Sequence, residues 1–230
     1  MTEAPIASSA PTLERTTGLL LAGGQGLRMQ GQDKGLRMQG QDKGLLPLQG
    51  RPLVAHVLER LQPQVAGVLI SANRNIEQYS RYGWPVLSDA PDAARIGPLA
   101  GWLTGLQHCL TDWLLSVPCD SPLLPPDLQA RLAAGAIAQN ARMAVAMAAS
   151  DLSEPGRLQM QPVFCLMHRD LTSPLAGFLN KGGRKLEAFV RTQAAVEVVF
   201  DRPGDEEAFF NANRPDELRD LELTLAQRSP

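Results

Sequence analysis

Through residue 140 the chain alternates continuous apolar runs of strand length with stretches whose apolar residues recur at helical spacing. Gly18–Ala22, Val65–Ala72, Trp84–Leu87 and Trp113–Val117 are the runs. Pro52–Gln62 carries Leu53, Val54, Val57, Leu58 and Leu61 at helical spacing, and Leu99–Leu110 and Pro125–Gln139 read the same way. A strand apolar at successive positions buries both of its faces, which is the signature of a parallel sheet covered by crossover helices on each side. Beyond residue 140, Met143–Ala149, Pro162–Met167 and Ala195–Phe200 read as further strands, Ser150–Gln161 as a loop and Pro215–Gln227 as a final helix. Few architectures other than an α/β sandwich accept this order.

No linker divides the 230 residues, and a chain of that length buries roughly 70% of its unfolded surface in one core. The expected organisation is a disordered tail over residues 1–16 and one domain over 17–230. The tail is rich in Ser, Ala, Pro and Thr and lacks the basic start and apolar stretch of a signal peptide. A balance of 22 Lys+Arg against 24 Asp+Glu argues against nucleic acid as a partner. No apolar run reaches the ~18 residues of a membrane span. Cys109, Cys119 and Cys165 form no CxxC pair and read as reduced thiols, which places the protein in the cytoplasm. His56, His108 and His168 are scattered and suggest neither a triad nor a paired metal site.

One feature interrupts this plan. Gly26–Lys34 reads GLRMQGQDK, and Gly35–Lys43 reads GLRMQGQDK again. Solenoid repeats run ~20–50 residues and stack three or more units, so this tandem copy is a duplication or an inserted segment. It falls directly behind the first apolar run.

That position carries the chemistry. Gly23-Gly24-Gln25-Gly26 closes the first strand, and consecutive glycines let backbone N–H groups converge on an anion. Open α/β sheets bind ligands at the C-terminal ends of their strands. Arg28 with Lys34, or Arg37 with Lys43, adds cations just downstream, which suits a triphosphate; a tight turn with solvated charges is the competing explanation. GxxxxGK[ST] is absent and Gly24-Gln25-Gly26 does not continue as GxGxxG, so neither the P-loop nor the dinucleotide fingerprint applies. The run Val117-Pro-Cys-Asp-Ser-Pro122 ends a strand on Asp120, where a carboxylate can hold Mg²⁺ together with substrate phosphates. Its alternative is a turn-closing acid. Asp89 follows another strand at the same edge and can accept from ribose or base groups. Asp127 reads as a first-turn helix acid. The glycines of Gly97-Pro-Leu-Ala-Gly101 would admit a closely approaching ligand.

Leu21-Ala-Gly-Gly24, the Arg-Met…Asp-Lys-Gly-Leu-Leu segment, Gly50-Arg-Pro-Leu53, Ser71-Ala-Asn-Arg74, Gly97–Gly101, Pro118-Cys-Asp-Ser-Pro122 and Asn211-Ala-Asn-Arg-Pro215 occur in one order. Together they resemble the bacterial molybdenum cofactor guanylyltransferases, the MobA family, over nearly the whole chain. The resemblance implies a three-layer, Rossmann-like nucleotidyltransferase sandwich with a mostly parallel sheet. It implies transfer of GMP from GTP to molybdenum-molybdopterin, Mg²⁺-dependent, with pyrophosphate released. Leu21, Ala22 and Gly23 would cradle GTP, Asp89 and Ser71 would lie at the nucleoside, and Asp120 would serve nucleotide and metal. Ser71 stands where family members can have asparagine. Arg28 and the loop lysine complete the catalytic set; that lysine is Lys43 counted back from Gly44-Leu-Leu, or Lys34 counted forward from Leu-Ala-Gly-Gly. Arg184, Lys185, Asn211 and Asn213 are the candidates for the pterin side. The expected protein is a monomer that meets the molybdenum-inserting protein and the acceptor apoenzymes.

Alternatives are a cytidylyltransferase or sugar-phosphate nucleotidyltransferase of the same fold, or a cofactor-binding protein whose duplicated loop has ended turnover. Family members that use CTP tend to show Leu-Ala-Ala-Gly, whereas this chain has Leu-Ala-Gly-Gly. The duplication makes the triphosphate loop nine residues longer than the family spacing, so the fold is expected to survive and the nucleotide site to suffer.

Overall fold

The computed structural model describes residues 10–22, 42–90, 96–149, 157–209, 218–219 and 221–222. The first strand, β1 (Thr16–Leu21), is buried along its length because its side chains alternate between two cores. Leu20 enters a core shared with Val54 and Val57 of α1 (Leu53–Leu61) and Leu128 and Leu132 of α4 (Leu128–Ala138). Leu19 enters the opposite core, with Leu99 and Trp102 of α3 (Pro98–His108), Leu175 of α5 (Thr172–Asn180) and Phe189 of α6 (Leu186–Thr192). The result is three layers, with α1 and α4 on one face of the sheet and α3, α5 and α6 on the other.

The sheet has seven strands in the order β5-β4-β1-β6-β8-β7-β9. β1, β4 (Gly67–Ser71), β5 (Val86–Leu87) and β6 (Trp113–Pro118) run parallel, and β9 (Val196–Phe200) is parallel to β7 (Met143–Ala149). β8 (Leu158–His168) is antiparallel to both β6 and β7. The chain builds outward from β1 to β4 and β5, then crosses back to lay β6 on the other side of β1. That reversal makes the C-terminal ends of β1 and β6 the switch point at which open α/β sheets hold ligands.

The structure departs locally from the sequence reading. β8 begins at Leu158, inside the stretch read as a loop, because Leu158–Gln161 extends the pairing with β7. Pro162 is tolerated there because the β7–β8 register shifts between Val145 and Ala146, leaving Pro162 in the irregularity where no ladder donor is needed. α4 starts at Leu128, after Pro125 and Pro126. The short α2 (Ile76–Ser80), α5, α6 and the small hairpin of β2 (Pro47–Leu48) and β3 (Arg51–Pro52) add to the expected elements. Gln49 and Gly50 turn that hairpin with φ of 50° and 76°, as a two-residue primed turn requires. Of the expected final helix only 218–219 and 221–222 are described, and both pairs are helical.

Residues 10–15 lie against the domain. The Pro11 carbonyl accepts from Gln129 Nε2 at 2.7 Å, and Arg15 Nε donates to Asp112 at 2.7 Å. All three cysteines are free and buried. Each histidine ring has a backbone partner: the Leu48 carbonyl for His56, the Thr104 carbonyl for His108 and the Asp170 N–H for His168. Among the described residues no helix is long and apolar enough to cross a membrane.

Candidate nucleotide-binding site

At the switch point the end of β1 is held between its neighbours. Ala22 N donates to the Ser71 carbonyl at 2.8 Å, and the Leu21 carbonyl accepts from Cys119 N at 3.1 Å. Leu21 and Ala22 thus lead the chain out at the ligand edge, flanked by the tips of β4 and β6. Asp120 lies two residues past the end of β6, its side chain 15% exposed, and faces Lys43 Nζ at 3.3 Å. A cation and a carboxylate meet at the position where this fold class binds its ligand. The pair is open enough to be approached, with 40% of the Lys43 side chain exposed.

Lys43 opens a short 3₁₀ turn, Lys43–Leu45, in which Leu45 N donates to the Asp42 carbonyl at 3.0 Å. Gly44 fills a place where no side chain fits: a Cβ there would fall 2.6 Å from the Tyr79 hydroxyl and 3.1 Å from Cys119 Sγ. Burial drives the Tyr79 phenol well above its ordinary pKa, so it remains a donor. Cys119 is pushed up by burial and further by Asp120 and Asp42, which keeps the thiol protonated and unsuited to attack.

Asp89 follows β5 and is half-buried. Its carboxylate accepts from Asn73 Nδ2 at 2.8 Å and from Thr104 Oγ1 at 3.3 Å, and its N–H donates to Asn73 Oδ1 at 2.8 Å. Asn73 therefore clamps Asp89 from two sides, a role the sequence did not reveal. Ser71, at the tip of β4, is 5% exposed. A Cβ on Gly101 would fall 2.8 Å from its Oγ and 2.7 Å from Leu21 Cδ2. The glycine of α3 expected to admit a ligand is thus occupied by the approach of β1 and β4 themselves. Gly97, with φ of 79°, and Pro98 at the first helical position start α3 beside this edge.

The remaining candidates lie elsewhere. Arg184 donates to the carbonyls of Leu179 at 3.0 Å and Gly183 at 2.6 Å, closing the C-terminal end of α5, and Lys185 is the residue directly before α6. The contacts of Arg184 belong to that helix end, not to the Lys43–Asp120 pair. Asp127 stands at the N-cap position of α4 without a side-chain capping bond, and its carboxylate pairs with Arg202 at 3.2 Å. Gly23, Arg28, Lys34, Asn211 and Asn213 fall outside the described residues.

The sequence profile of the MobA-like NTP transferase domain matches residues 18–197. The chain belongs to the MobA-like NTP transferase family. A molybdenum cofactor guanylyltransferase of Acidovorax sp. (strain JS42) is 49% identical over 209 residues, covering 90% of this chain and 94% of that protein. One from Cupriavidus necator is 48% identical over 204 residues, 88% of this chain and 94% of the relative. The crystal structure of molybdopterin-guanine dinucleotide biosynthesis protein A from Archaeoglobus fulgidus superposes with a TM-score of 0.67 at 21% identity, covering 92% of this chain and 99% of the other. CMP:2-keto-3-deoxy-manno-octonic acid synthetase, solved with CTP, has the same fold at a TM-score of 0.65 and 14% identity, with 94% and 100% covered. The MobA-like chain is accordingly an α/β nucleotidyltransferase with a mostly parallel central sheet.

Proposed function

We propose that this chain transfers GMP from GTP to molybdenum-bearing molybdopterin, forming the guanine dinucleotide cofactor and pyrophosphate. The observation that carries the reading is the 49% identity to a guanylyltransferase over 90% of the chain. The Lys43–Asp120 pair at the switch point supports it. A terminal phosphate oxygen of the pterin attacks the α-phosphorus of GTP in line. The new O–Pα bond forms as the bond from Pα to the bridging oxygen breaks, and that oxygen leaves with pyrophosphate. No protein nucleophile takes part, so the chain's work is to position groups and offset charge. The backbone at Leu21 and Ala22 lines the phosphate path, Lys43 neutralises phosphate oxygens, and Asp89 with Ser71 lies at the nucleoside.

Magnesium fits Asp120. Among the described residues no group of three or more His, Cys, Asp or Glu forms a cage for an ion. Mg²⁺ at phosphoryl-transfer sites needs only one or two carboxylates besides substrate phosphates and water. When bound it supplies Lewis-acid stabilisation of the phosphate oxygens. The tandem GLRMQGQDK copy is read as an insertion relative to family members, and Lys43, not Lys34, as the working lysine. The enzyme acts as a monomer in the cytoplasm, where buried free thiols persist. It takes its acceptor from the molybdenum-inserting protein and passes product to apoenzymes.

Pyrophosphate release with molybdenum-molybdopterin as acceptor tests this reading. With Mg²⁺, GTP is expected to support release and CTP and ATP to support little. Faster release with CTP would move the chain to the cytidylyltransferases. Binding of GTP and acceptor without release would leave a carrier.

A further inference from the structure

Asp42 is the least expected group near the site, a carboxylate only 3% exposed at its side chain. It does not face Asp120 or solvent. Its Oδ1 accepts from the Tyr79 hydroxyl at 2.7 Å, and its Oδ2 accepts from Asn75 Nδ2 at 2.9 Å and pairs with Arg74 Nε at 3.5 Å. All three partners come from the β4–α2 turn and from α2. Burying a carboxylate is costly, and a buried ion pair seldom stabilises a fold more than an apolar replacement does. What this cluster supplies is a fixed backbone at residue 42, one position before the ammonium that faces Asp120. Asn75 holds φ of 53° to present its amide, and Gly44 lacks the Cβ that would push Tyr79 off the carboxylate.

The same turn serves the other half of the site. Asn73 holds Asp89 through two hydrogen bonds of 2.8 Å, while its neighbours Arg74 and Asn75 hold Asp42. We propose that Asp42 is a positioning residue, locking Lys43 opposite Asp120 through the Arg74–Asn75–Tyr79 cluster. The proposal rests on the reading of this edge as the GTP site. Asp42 acts only through Lys43, so its loss affects the phosphates and leaves the nucleoside contacts in place.

Calorimetric titration with GTP and with GMP, in Mg²⁺, separates these contributions. The proteins to compare are wild type, Asp42→Asn, Tyr79→Phe, Lys43→Ala and the Asp42→Asn/Lys43→Ala double variant, each with a thermal melt. Asp42→Asn is expected to weaken GTP binding by about 10- to 100-fold, the cost of a misplaced positioning group. GMP binding should stay within about twofold of wild type. Tyr79→Phe should give a smaller loss of the same kind, and it decides the matter alone if Asp42→Asn does not fold. The double variant should bind GTP no more weakly than Lys43→Ala. Equal losses for GTP and GMP, or wild-type GTP binding by Asp42→Asn while Lys43→Ala loses it, would overturn the positioning role. Failure of the wild type to bind GTP would instead overturn the nucleotide-site reading, and the proposal with it.

Discussion

Lys43 and Asp120 approach to 3.3 Å with 40% and 15% of their side chains exposed. Ion pairs that reach solvent contribute only about 0–1 kcal/mol to stability, so this one is placed for exchange with a charged ligand more than for holding the fold. Asp120→Asn should therefore melt close to wild type, within the shift of about 1 kcal/mol. Turnover should fall about 100- to 1,000-fold, the usual loss when a group opposing transition-state charge is removed. Melting curves and pyrophosphate release check both halves, and a strongly destabilised variant with turnover intact would make Asp120 structural. The sequence marked Asp120 and Asp89 because both close strand-like runs. It left Lys34 and Lys43 open because the two copies are identical through the lysine. The partners that place Lys43 are distant in sequence: Asn75 and Tyr79 lie 33 and 37 residues beyond Asp42. Asn73 belongs to Ser71-Ala-Asn-Arg74, which carries part of the family resemblance, yet no spacing rule shows that it would clamp Asp89.

At the level of elements, the apolar runs located the central parallel strands β1 and β6 because both of their faces are buried, while the edge strands β5 and β9 are only partly covered. Strand order, the antiparallel entry of β8 and the short α2 depend on tertiary contacts that periodicity does not contain. The α3 glycines show the difference most clearly. Gly101 lies where a Cβ would fall 2.7 Å from Leu21 and 2.8 Å from Ser71 Oγ, so it allows helix and strand tips to meet at the site. A Cβ on Gly177, in α5, would meet nothing within 4 Å beyond its own helix backbone. Gly101→Ala should destabilise by about 1–3 kcal/mol through overpacking. Gly177→Ala should stabilise by about 0.4–1 kcal/mol, since only chain entropy and helix propensity change. Denaturant titration of the two variants reads both signs. A stabilised Gly101→Ala would show that the β1 and β4 tips are looser than this packing implies.

Over the whole molecule, the repeated GLRMQGQDK is the one departure from an otherwise consistent plan of strands, switch point and charged edge. Asp120 and the Asp42 cluster, which place Lys43, lie at residue 42, in the β4–α2 turn and α2, and past the end of β6. Removing residues 35–43 leaves an Asp-Lys pair directly before Gly44, so those contacts can form again unchanged. Doubling a loop costs only ~0.6 kcal/mol in closure entropy, which leaves the fold itself nearly indifferent to the extra copy. Under the proposed function, GTP phosphates are held by the lysine that the Asp42 cluster locks opposite Asp120. The most direct test is Mg²⁺-dependent GTP affinity for four proteins: wild type, Lys34→Ala, Lys43→Ala and the chain lacking 35–43. Wild type and Lys34→Ala are expected to bind alike, Lys43→Ala to lose about 10-fold or more, and the shortened chain to bind at least as tightly as wild type. Loss of binding in Lys34→Ala with Lys43→Ala unaffected would contradict this assignment.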